Sequence, residues 1–181
     1  MFKIIFKLFL SLILCLFITN NVKAFEFVKA TENALNVNSI NGYAYQLQHH
    51  IFKEGDIYKG IFVINRPPET YYSLGYFESI DGLSWQMKKE ILNTGADLSN
   101  PSILKTSTGY IMFISRFDNN AIYRIYSSNC DADFNCSPNL LPVIVPDSGN
   151  ASESNGVFAR HPYQQSGRTY LFFGAWGGDG F

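Results

Sequence analysis

The chain has 181 residues, with 14 basic against 15 acidic side chains, and 46% of it is hydrophobic and 16% aromatic. So many aromatics with so few charges exclude a disordered chain, and without a basic excess nucleic-acid binding has no electrostatic basis. The length is enough for one domain with its own core.

Residues 1–24 read as an export signal. Lys3 and Lys7 form a basic start, and residues 8–18 are apolar apart from Ser11, too short a run to span a bilayer. Polar Thr19-Asn20-Asn21 ends that run, and Val22-Lys23-Ala24 offers small residues for cleavage, giving a mature start at Phe25. A retained anchor is the less favoured alternative. Leu14 before Cys15 argues against a lipoprotein signal, which wants a small residue there. Cleavage predicts a secreted or periplasmic protein of 157 residues with no stable membrane anchor. Loss of Lys3, Lys7 and Lys23 takes the charge to −4, from 11 basic and 15 acidic residues. Two cysteines remain, Cys130 and Cys136. In an oxidising compartment they predict a local disulfide that shapes a turn.

One pattern then recurs three times: a polar segment, a short strand, a Gly-containing turn, and a Tyr opening an apolar run. The Tyr positions are 58, 110 and 170. A repeat of roughly 40–50 residues is the mark of a four-stranded β-propeller blade. In the first copy strands are expected over 51–54, 57–64, 71–78 and 85–92, with Gly55-Asp56 as the first turn. In the second they are expected over 102–105, 110–115, 121–127 and 140–145. Residues 110–115 are apolar on both faces, as in a strand sandwiched between layers. The third copy offers 157–163 and 169–175. Residues 31–37 have room for at most a turn or two of helix. The expected fold is therefore all-β: a partial β-propeller of four-stranded antiparallel blades, about two and a half of them, over residues 25–181. Such a set leaves open edges. A fragment of a longer protein is the preferred explanation, with self-assembly or a different sandwich as alternatives.

Ser79-Ile80-Asp81-Gly82-Leu83-Ser84-Trp85 resembles the Asp-box of sialidases and the Ser-x-Asp-Gly-x-x-Trp hairpin of five-bladed glycoside hydrolase propellers, such as family 43. Its physics is local: Ser and Asp bond turn donors, Gly takes positive φ, and Trp packs beneath. The segment 127–136 holds the same place in the second copy, bracketed by the cysteines. Its Asp131-x-Asp133-x-Asn135 imitates the start of a calcium loop. Cys136 stands where that loop needs Gly and Pro142 where it needs Glu, so no metal is expected, and no cofactor. The resemblance to the hydrolase propellers covers most of residues 45–178. It extends to Asn100-Pro101-Ser102-Ile103 with Gly109-Tyr110-Ile111-Met112-Phe113, and to Arg160-His161-Pro162-Tyr163 with Thr169-Tyr170-Leu171-Phe172-Phe173.

The resemblance implies axial carboxylates on Asp-Pro-like elements that open each blade. This chain departs from it, with His49-His50, Asn100 and His161 at those positions. Glycoside hydrolysis needs two carboxyl groups, and Asp97 and Glu153, on loops before the second and third inner strands, are the catalytic candidates. His49, His50, Asn100, Arg160 and His161 are the candidates for binding sugar hydroxyls or a carboxylate, with Trp176 as a stacking surface. His49, His50, Asp97, Asn100, Arg160 and His161 are expected around one pocket. The implied function is hydrolysis or binding of extracellular oligo- or polysaccharide. The alternative is a non-catalytic recognition propeller, or inactive fragment, whose axial carboxylates have been lost.

Overall fold

Apolar runs bounded by Gly turns form strands wherever the sequence places them. The computed structural model describes residues 36–37, 44–65, 67–118, 122–147 and 149–178. The export signal over residues 1–24 and the start at Phe25 lie outside the described residues. The first sheet is an antiparallel meander of β2 (Ala44–Glu54), β3 (Ile57–Asn65), β4 (Tyr72–Ser79) and β5 (Ser84–Leu92). A two-residue strand, β1 (Asn36–Val37), adds in parallel to β5, where the sequence had allowed a turn of helix. The second meander is β6 (Leu98–Lys105), β7 (Gly109–Phe117), β8 (Tyr123–Asp131) and β9 (Leu141–Ile144). A hairpin of β10 (Gly156–Gln165) and β11 (Arg168–Trp176) follows. Among the described residues the one helical piece is a 3-10 turn, Ala151–Glu153. No helix there is long and apolar enough to cross a membrane. The fold is all-β.

Three apolar clusters hold these layers. Because strand side chains alternate between faces, β3 sends Ile61 and Val63 one way and Phe62 and Ile64 the other. Ile61, Val63 and Leu74 meet Leu98, Met112 and Ile114 of the second meander in the main core. Phe62, Ile64, Phe77 and Trp85 form the cluster on the opposite face of the first sheet. Phe113 and Ile125, on the far side of the second meander, pack on Val157 and Ala159, with Leu171 and Ala175 beside them.

The β10–β11 hairpin is tied on by few polar contacts. Gly156 forms a single parallel bridge with Tyr123, and Ala159 N donates to the buried Ser115 Oγ at 2.9 Å. The bridge needs glycine: φ is +135°, and a Cβ would stand 2.6 Å from Tyr123 Cβ. The first strands of the three units lie side by side, β2 against β6 and β6 against β10.

The two marked hairpin turns close as their chemistry dictates. In the first, Ser79 Oγ and the backbone N–H groups of Leu83 and Ser84 donate to Asp81 Oδ1, at 2.8, 2.8 and 2.7 Å. Gly82 sits at φ +75°, and the buried Trp85 donates its Nε1–H to Gly82 O at 3.1 Å. In the second, Cys130 and Cys136 form the disulfide, with Cα atoms 4.0 Å apart. The loop between them turns Phe134 inward at φ +58°. Asp131 Oδ1 accepts from Asp133 N and Asn135 N at 2.9 and 2.8 Å, so its carboxylate organises its own loop.

Candidate functional site

The three inner strands share a defect. β2 shifts register against β3 between Tyr45 and His49, β6 against β7 between Ser99 and Ser102, and β10 against β11 between Ala159 and His161. A bulge leaves residues unpaired in the ladder and re-aims their side chains. Residues released here converge: unpaired Gln48, Asn100, Pro101 and Arg160, with His49 and Ala159 at the edges of the shifts, line one cavity of about 260 Å³. Gln48, Asn100 and Arg160 each stand ten positions before the repeating Tyr58, Tyr110 and Tyr170. The cavity is thus built three times over from one position of the repeat.

Local bonds set its shape. Asn100 adopts φ +46°, a conformation that Asn tolerates better than most residues. Its N–H donates to Gln48 Oε1 at 3.1 Å, joining β6 to β2, and its Nδ2 donates to Ser99 Oγ at 3.3 Å. His49 stacks on Phe62, ring centroids 5.3 Å apart. Arg160 lies across Gly174 of β11, where a Cβ would come within 3.3 Å of its Nε.

On the next position of each strand, His50 and His161 face one another, rings 6.3 Å apart and 24° from parallel. Burial, followed by the His161 and His49 imidazoles, holds the pKa of His50 down to about 4. It is therefore neutral at pH 7.

His49, Asn100 and Arg160 of the sequence-derived candidates come together in this cavity, and His50 pairs with His161 beside it. Asp97 does not line it. Its Oδ1 accepts from Tyr72 N at 2.9 Å and its carbonyl from Phe117 N at 2.9 Å, which pins the entry to β6 against β4 and β7. Glu153 does not line it either: its carboxylate accepts from Asp147 N at 2.9 Å and Asn150 Nδ2 at 3.2 Å within the 3-10 turn. Trp176 lies at the end of β11 near Phe158, ring centroids 6.3 Å apart, and is partly exposed. Gln48, Pro101 and Ala159 were not among the sequence-derived candidates. The ten-residue offset from each Tyr is the signal that finds Gln48.

A second polar cluster lies toward the other end of β2. Glu54 accepts from Lys59 at 2.6 Å, from Tyr110 Oη at 3.0 Å, and from Lys105. Hydrogen bonds from Lys105 and Lys59 first, then Tyr110, pull its pKa down to about 2. It lines a cavity of about 300 Å³ with Thr106, Ser107 and Thr108. With its carboxylate committed to three donors, Glu54 serves as a tie between the meanders.

No protein-family model and no curated protein sequence matches the chain. Among solved structures it is similar to a β-1,2-mannobiose phosphorylase from Listeria innocua in complex with β-1,2-mannobiose. The TM-score is 0.57 and the identity 13%, over 75% of this chain and 42% of that one. This chain therefore spans less than half the length of that protein. At that identity the likeness is one of fold. It relates the chain to a carbohydrate-active protein that is a phosphorylase, whereas the motif resemblance is to hydrolases.

Proposed function

We propose that the protein is an exported β-propeller module, related to glycoside hydrolases of the family 43 kind, that binds oligosaccharide at the mouth formed by β2, β6 and β10. The observation that carries this is the repeated bulge. Three strands from distant parts of the sequence break register at equivalent points, and the released polar residues share one cavity. Convergence of distant polar groups in a concave site is what ligand binding requires. The fold likeness to a carbohydrate-active protein supports the class of ligand, and the disulfide suits an exported chain.

Binding is favoured over hydrolysis because the lining residues include no Asp or Glu, while glycoside hydrolysis uses two carboxyl groups flanking the bond. Hydrolysis is retained as the second proposal, with Asp97 and Glu153, just before β6 and β10, as its candidate carboxylates.

Titration calorimetry against a panel of oligosaccharides tests the site. Asn100→Ala and His161→Ala are expected to weaken binding about tenfold or more, the loss of one or two well-placed hydrogen bonds. Unchanged affinity in both variants refutes the placement. Glycosidase turnover that is lost in both Asp97→Asn and Glu153→Gln would favour hydrolysis over binding alone.

A further inference from the structure

We infer that the carbohydrate taken at this mouth carries an acidic group, a sugar carboxylate or equivalent oxyanion, seated on Arg160 beside Asn100 and Gln48. This rests on the proposal that the mouth binds carbohydrate, and adds the ligand's charge.

The donor and acceptor inventory leads to it. Sugar hydroxyls both donate and accept, so a neutral ligand wants side-chain acceptors as well as donors. Here one of the two lining amide oxygens is used up, leaving that of Asn100. Gln48 Oε1 already accepts the Asn100 backbone N–H. Among the lining side chains there is no carboxylate. Donors remain in excess: the Arg160 guanidinium, which has no acceptor at all, the Gln48 amide, and the second N–H of Asn100. A carboxylate needs donors only, and guanidinium matches its two oxygens in a fixed fork.

Charge and position agree. Arg160 has no carboxylate partner among the described residues, although acidic side chains outnumber basic ones in the chain. It projects from the β10 bulge, and the missing side chain of Gly174 gives its guanidinium room to lie across β11. His49 lines the same cavity, and no carboxylate is among its lining residues.

The test is calorimetry on the full chain with matched ligands: uronic-acid trisaccharides, their methyl esters, neutral oligosaccharides and inorganic phosphate. The esters keep the sugar and remove the charge. An acid is expected to bind about 10- to 100-fold tighter than its ester, the usual gain from hydrogen bonds to a charged group. Arg160→Gln should abolish that preference while leaving ester binding in place. Gly174→Ala, which keeps the arginine but crowds it, should reduce the preference. Circular dichroism checks that both variants fold. Inorganic phosphate that displaces the acid supports an oxyanion seat. Equal affinity for acid and ester, or a preference that survives Arg160→Gln, overturns the inference and leaves carbohydrate binding standing. Phosphate that binds while the acid is no tighter than the ester overturns it too, since the anion would then not be part of the sugar. If no carbohydrate binds, both proposals fall.

Discussion

Replacing Phe134 should unfold much of what the two meanders share. The residue is 1% exposed at the tip of the disulfide-closed loop. Its ring lies between Tyr76 of the first sheet and Tyr110 of the second, with centroids 4.4 Å away on both sides and interplanar angles of 25° and 12°. Truncating a core Phe to Ala costs about 3–5 kcal/mol. Two stacked pairs, each contributing about 0.5–1.5 kcal/mol beyond burial, put this site toward the upper end. A loss of about 4 kcal/mol, over a urea slope of about 2 kcal/mol/M, moves the denaturation midpoint by about 2 M. The φ of +58° separates packing from backbone strain. Gly prefers that conformation, so Phe134→Gly should be no less stable than Phe134→Ala. Phe134→Leu, which keeps part of the volume, should fall between wild type and both. Asp133→Ala, exposed on the same loop, serves as the control. A loss below about 1 kcal/mol for Phe134→Ala, at unchanged slope, would refute the view that this loop plugs the core between the sheets.

Two further outcomes follow from the same structure. Replacing both Cys130 and Cys136 by Ala should cost about 2 kcal/mol, the closure entropy of so short a loop, read as a lower melting temperature than that of the oxidised parent. Stability should also fall with pH below neutrality because of His50, which is faced by His161 from β10 and His49 from its own strand. Its folded pKa of about 4 lies below the unfolded value of about 6.5. Between those values the unfolded chain therefore binds the extra proton. The contribution is complete above pH 6.5 and drains away as the pH falls toward 4, by up to about 3 kcal/mol. Urea titrations at pH 7.5 and 5 should show that slope in wild type and a flatter one in His50→Gln.

The strands were legible because Gly turns and apolar runs punctuate the chain with little ambiguity. Residues 110–115 read as apolar on both faces, and β7 is flanked by apolar clusters on both sides, as is β3. The starts of the inner strands were not legible. A bulge interrupts the period-two pattern, and Asn100-Pro101 looks like a strand breaker when it is a break within the strand. For the same reason β2 and β6 begin earlier than their apolar runs, at Ala44 and Leu98. A two-residue strand such as β1 carries no periodicity to read. Asp97 and Glu153 were drawn toward the site by their nearness in sequence to β6 and β10. The backbone donors that hold them, Tyr72 N and Asp147 N, are tertiary and loop contacts that spacing does not reveal.

The hairpins divide their labour along their length. The Asp81 turn, the disulfide loop and the Glu54 cluster all gather where β2 ends and β7 begins. The bulged residues lie further back: His49 is five residues before Glu54 on β2, about 16 Å at the rise of an extended strand. Gln48, Asn100 and Arg160 face the cavity at that end, while the Phe134 stack and the Glu54 ion pairs occupy the other. A fold built this way can exchange the ten-residue-offset positions, Gln48, Asn100 and Arg160, without disturbing the core that fixes their direction. The repeat supplies the positions that line the cavity, and the identity of the three side chains supplies its polar groups. This is why a chain can keep the turn chemistry of Asp81 and Trp85 while presenting amide, imidazole and guanidinium groups where its hydrolase-like resemblance implies carboxylates.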